Sequence, residues 1–145
     1  MARLRPGWLV VLCAVVISVS GWLPWLTTAA DGGGHASAIG GTAGSLVLPP
    51  KFGVGQLIVL LASSLVLAGA MTARGLSARM SAFAALLNSL LILGLAVWYH
   101  HVNVKPPVVA GYAFYIGAVA AAAAALCSVW AIFTAWASAA VPAER

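Results

Sequence analysis

Four long apolar runs, at about residues 8–26, 54–72, 80–99 and 108–136, constrain this chain more than any other feature it has. A helix needs about 20 mostly apolar residues to cross the hydrocarbon core of a bilayer. Each run is close to that length, and together they nearly exhaust the 145 residues. Composition agrees: 63% of the residues are hydrophobic, 6% are charged, and the mean hydropathy is +1.08. Soluble domains carry roughly 45–50% apolar and 25% charged residues. The expected fold is therefore an all-α membrane protein, an antiparallel bundle of four transmembrane helices forming a single membrane domain over residues 1–145. Outer loops are expected at about 27–53 and 100–107, and a cytoplasmic turn at about 73–79.

The first run follows Arg3 and Arg5, a basic start that suits either a cleavable signal or a retained anchor. Its apolar core is longer than the 7–15 residues usual in a signal peptide. It closes on Trp22-Leu23-Pro24-Trp25, although Thr28-Ala29-Ala30 would pass as a cleavage site. Retention as a span is the expectation. The following stretch is rich in Gly, Ser, Thr and Pro and reads as an irregular loop, with Gly44-Ser45-Leu46-Val47-Leu48 its one segment of strand character. Gly75-Leu76-Ser77-Ala78-Arg79 is too short a link between the second and third runs for anything but antiparallel neighbours.

Charge sets the orientation. Arg3, Arg5, Arg74, Arg79 and Arg145 fall on one side, and Lys51 and Lys105 on the other. Basic residues near spans favour the cytoplasm, so both termini are expected inside a plasma membrane crossed several times. Aromatic belts give the same answer: Trp22, Trp25, Trp98, Tyr99, Tyr112 and Tyr115 mark the outer interface, and Trp8, Trp130 and Trp136 the inner one.

The chain offers little chemistry. It has no Ser-His-Asp set, no phosphate-binding glycine loop with Lys, no Cys-x-x-Cys and no His-Glu-x-x-His. Asp31 and Glu144, its only acids, fall on opposite sides of the expected topology, which excludes paired-carboxylate catalysis. No catalytic residue and no cofactor are expected. The net charge of +5 is scattered without a basic cluster, which argues against nucleic acid as a partner. Cys13 and Cys127 lie within apolar runs and read as packing residues.

Three features could carry function. His35, His100 and His101, with Asp31, lie on the outer side and contain metal-ligand types. Their spacing matches no closed tetrahedral pattern, so no metal is expected there. Asn88 is the strongly polar side chain deepest in a span and shares a helical face with Ser81, Ala84 and Ala85. An interhelical hydrogen bond to Ser63 or Ser64 is its expected role. Small residues recur four apart at Ala14 and Ser18, Ser64 and Ala68, and Gly117, Ala121 and Ala125, which lets helix backbones approach within the bundle or against another membrane protein. Trp22 and Trp25 around Pro24 could anchor the interface or form an aromatic knob, and together with Gly117 and Ala121 they are the candidates for contact with a partner.

With its Arg-rich start, Gly21-Trp22-Leu23-Pro24-Trp25 closing the first span, a glycine-rich outer loop and three alanine-rich spans, the chain resembles small four-span membrane proteins of actinobacteria such as mycobacteria. That resemblance implies an accessory of cell-envelope complexes or a partner of secreted or membrane proteins. Beside membrane lipids, then, the expected partner is a larger membrane or extracytoplasmic protein, with a homo-oligomer also possible. The expectation is a noncatalytic accessory or scaffold; a small oligomeric transporter or channel is the alternative.

Overall fold

The computed structural model describes residues 5–29, 32–37, 42–44, 53–104 and 108–140. In chain order the elements are α1 (Pro6–Ser20), β1 (Pro24–Thr28), β2 (Gly34–Ser37), β3 (Thr42–Gly44), α2 (Val54–Ala73), α3 (Ala78–Asn103), β4 (Val108–Ala110) and α4 (Tyr112–Ala140). The molecule is mostly helical. Three of its helices are long and apolar enough to cross a membrane, over Gly55–Ala73, Ala78–Val102 and Tyr112–Ser138. α1 is apolar too, but at 15 residues it is shorter.

The first apolar run is helical only as far as Ser20. Gly21 weakens the helix, and Pro24, which has no backbone N–H to donate, opens β1 instead. The fourth run likewise starts as strand β4 and becomes helix only at Tyr112. Both strands belong to an antiparallel sheet in the order β3-β2-β1-β4. In its register Thr27 lies between His35 of β2 and Val109 of β4, while the β1–β2 pairing shifts between Pro24 and Leu26. The segment expected to be irregular thus contributes β2, β3 and the last two residues of β1, and Gly44, the first residue of its strand-like stretch, closes β3 opposite Gly34. Residues 45–48 lie outside the described residues.

α1 packs on α2 and α4, and α3 packs on the same two neighbours. Buried positions follow a three-then-four spacing: Gly7, Val10, Ala14 and Ile17 on α1, and Ala82, Ala85, Ser89, Ile92, Ala96 and Tyr99 on α3. That is the narrow seam of helices crossing at shallow angles. Size sorts the residues more than polarity does. The interior is dominated by Ala, with Ile, Gly and Ser, while Leu60, Leu67, Leu87, Val119, Leu126 and Phe133 point outward. Without a difference in polarity between core and surroundings, helices associate by close backbone approach, and small residues mark their contacts. α1 and α2 show this at Gly7 and Gly69: a Cβ added at Gly7 would lie 2.7 Å from the carbonyl oxygen of Gly69.

At the end away from the sheet, α2 turns into α3 through residues 74–77. Gly75, at φ 75°, takes the left-handed conformation after the helix. Leu76 N then donates to Met71 O at 2.9 Å and Gly75 N to Thr72 O at 3.2 Å, the double closure that satisfies the last carbonyls of a helix. Arg5 covers another of them, its Nη1 donating to Ala73 O at 2.8 Å.

Candidate functional site

The sheet end is built around Trp25. Its ring is 1% exposed, although interface belts keep tryptophan at the surface. The indole meets Tyr99 of α3 edge to face at 5.3 Å between centroids and Phe114 of α4 at 5.4 Å. Tyr99 and Phe114 stack at 6.3 Å, and His100 tilts over Phe114 at 5.4 Å. Edge-to-face pairs contribute about 0.5–1.5 kcal/mol each beyond the area they bury. The polar edge of Trp25 is satisfied as well: Nε1 donates at 2.7 Å to Ser20 O, which also accepts from Leu23 N at 3.0 Å at the end of α1.

Gly117 makes room for this ring. A Cβ there would lie 3.1 Å from Trp25 Cζ2 and 2.8 Å from Ser20 Oγ. Backbone bonds complete the joint, with Gly111 N donating to Trp25 O at 2.7 Å just where β4 passes into α4. One residue of β1 therefore ties the sheet to α1, α3 and α4 together.

Of the four residues expected to meet a partner, Trp25, Gly117 and Ala121 are buried inside the molecule. Their surfaces are used within the chain and are closed to another protein. Trp25 and Tyr99 leave the expected outer aromatic belt for the same reason. Trp22 remains, 71% exposed, three residues before Trp25 at the base of the sheet. Trp98, Tyr112 and Tyr115 are exposed as well, on the ends of α3 and α4 whose Tyr99 and Phe114 meet Trp25.

The histidines occupy separate elements. His35 is exposed on β2, His101 is exposed at the end of α3, and His100 is half-buried against Phe114. Asp31 lies outside the described residues. Among the described residues no three His, Cys, Asp or Glu side chains come together as a metal site.

Near the middle of α2 and α3, Asn88 Nδ2 donates to Ser64 Oγ at 3.0 Å. Ser63 turns the other way and donates to Val59 O at 3.1 Å. At the end opposite the sheet lies an open cleft of about 640 Å³, lined among others by Arg5, Gly7, Thr72, Trp130 and Thr134. Arg5 is the charged residue of its lining and already bonds Ala73 O.

Phe114, which packs on Trp25, lies in a plain apolar run that carries no sign of this contact. Its role follows from a pairing between β1 and β4 across some eighty residues of chain, as in Thr27 with Val109. No family model, curated protein or solved structure matches the chain, so its function is argued from this geometry.

Proposed function

We propose that the protein is a noncatalytic accessory of the plasma membrane that holds a small sheet outside the bilayer and presents Trp22 there to a larger membrane or extracytoplasmic protein. The observation that carries this reading is the joint around Trp25: the chain's largest buried side chain is used to fix the sheet on the helices, while Trp22 beside it stays exposed. A connecting loop needs no such joint. A surface kept in one orientation for recognition does, because ordering it before contact lowers the entropy lost on binding. Exposed tryptophan is also the side chain most enriched among residues that dominate protein contacts.

In this reading all four helices cross the membrane as an antiparallel bundle. α2, α3 and α4 have the length for it, and their outward Leu, Val and Phe side chains suit lipid. α1 rises about 22 Å as a helix, and the turn at 21–23, with Trp22 N donating to Val19 O and Leu23 N to Ser20 O, followed by β1 carries the chain on through the outer interface. Arg5, Arg74 and Arg79 then lie at the cytoplasmic face with both termini, and the sheet lies outside. The guanidinium of Arg79 over the ring of Trp136, at 5.6 Å, is the kind of contact an inner interface favours. An accessory role is also what the resemblance to small actinobacterial four-span proteins implies.

Purification of the tagged full chain from its native membrane in mild detergent tests the proposal. A protein retained at fixed stoichiometry, and lost on Trp22→Ala while the helical content is unchanged, is the expected result. A chain that comes away alone after crosslinking in the membrane would count against it and leave transport, measured as flux in liposomes, as the reading to pursue.

A further inference from the structure

All four helices contribute to the cleft at the end opposite the sheet: Arg5 and Gly7 from α1, Thr72 from α2, Ala78 from α3, and Trp130 and Ser138 from α4. Its α4 wall, from Ser138 back to Trp130, is about 12 Å long at the rise of a helix. A second hollow of about 520 Å³ adjoins it, because Ala78, Ala135 and Ser138 line both. Arg79 and Ser77, the N-cap of α3, bound this second hollow. The two form one groove with an arginine in each half.

Neither arginine meets a carboxylate among the described residues, because the chain's two acids, Asp31 and Glu144, both lie outside them. A guanidinium carries five N–H donors, and the bond from Arg5 Nη1 to Ala73 O uses one of them. Arg79 lies over the ring of Trp136 at 5.6 Å. Ser77 makes no side-chain hydrogen bond to cap α3, so the positive end of that helix dipole adds to the field of Arg79. Deeper in the cleft the wall is apolar, with Trp130 half-exposed on α4 and Ala131 buried beside it. An occupant that suits both parts is negative at one end and apolar at the other.

We infer that the groove is a binding site for one anionic phospholipid of the inner leaflet, its phosphate bound by Arg5, its acyl chain against Trp130, and Arg79 completing the positive field from the adjoining hollow. Basic pockets between helices at the cytoplasmic side are where anionic headgroups bind membrane proteins. A free phosphate carries the same charge but leaves the apolar wall uncovered, which is why a lipid is the occupant. The inference rests on the reading that places this end of the helices at the inner interface, and it is independent of what the outer sheet binds.

The test is a titration of the full chain, in a neutral detergent, with dioleoylphosphatidylglycerol, counting the lipids retained per protein by native mass spectrometry. Binding should saturate at one lipid, and dioleoylphosphatidylcholine, with the same chains and no net charge, should bind far more weakly. Arg5→Gln should weaken phosphatidylglycerol binding about tenfold, the loss expected for one hydrogen bond to a charged group, and Arg79→Gln should weaken it by less. Arg74→Gln removes the same charge from the same end, but from a side chain that lines neither hollow, and should leave the affinity unchanged. Ala135→Trp, which fills the groove without altering charge, should abolish binding. Circular dichroism of each variant should show unchanged helix. Equal weakening by Arg74→Gln and Arg5→Gln, binding that survives Ala135→Trp, or equal binding of the two lipids overturns the inference. So does displacement of the lipid by millimolar inorganic phosphate, which would mark a site for a free anion. The placement of this end inside fails separately, if Leu76→Cys reacts with a membrane-impermeant maleimide on intact cells.

Discussion

Around Trp25 the molecule is held by large rings, whereas at the opposite end α1 and α2 meet through Gly7 and Gly69 with hardly any side chain between them. Both regions are tightly packed, and they achieve it by opposite means. Where helix meets helix, small residues bring backbones together over the length of a seam, so stability is spread over many small contacts. Where a sheet must be fixed to the ends of helices, no such seam exists. The irregular space is filled by Trp25, Tyr99 and Phe114, and stability is concentrated in a few residues. The two ends should therefore respond differently to substitution: the sheet end is sensitive to removal of volume and the helix crossing to its addition.

Trp25→Ala should show the largest effect. Emptying a site of this size typically costs about 3–5 kcal/mol, and here the bond from Nε1 to Ser20 O goes with it. Amide exchange over residues 25–28 and 34–37 should rise strongly while the middles of α2 and α3 remain protected, since the sheet is joined to the helices through this ring. Equal loss of protection in both regions would break the distinction between them. Gly69→Val should come next, at about 1–3 kcal/mol for overpacking, read as lower thermal stability in detergent with the exchange pattern of the sheet unchanged. Trp22→Ala should do least to the fold, within about 0.5 kcal/mol as for exposed positions generally. That would separate the two neighbouring tryptophans sharply, one structural and the other available.

The helices were legible because long apolar runs admit few other structures, and the short turn at Gly75 carries its own signal of a helix stop. Which face of each helix points inward was much less so, because apolar residues surround each helix and only residue size tells the sides apart. The pairing of Asn88 with the serines of α2 is legible because a lone amide among apolar residues has few partners; that only its Nδ2 end is bonded depends on how the side chain packs. The sheet was hidden for a different reason. β1 lies in the tail of one apolar run and β4, three residues long, at the head of another. Strands this short carry no periodicity to read, and their pairing depends on helices that bring residues 26–28 and 108–110 together. Trp25 was assigned to the interface because tryptophan beside proline at the end of an apolar run usually sits there, and its burial depends on the space left by Gly117 on a distant helix.

The most direct test of the account is a photo-crosslinking residue placed at position 22 in the native membrane, alone and combined with Trp25→Ala. The account predicts a discrete adduct with one larger protein from position 22, and its loss when Trp25 is replaced although the chain remains in the membrane. An adduct that survives Trp25→Ala unchanged, or no adduct from position 22 in the native background, would contradict the claim that the buried ring exists to present the exposed one.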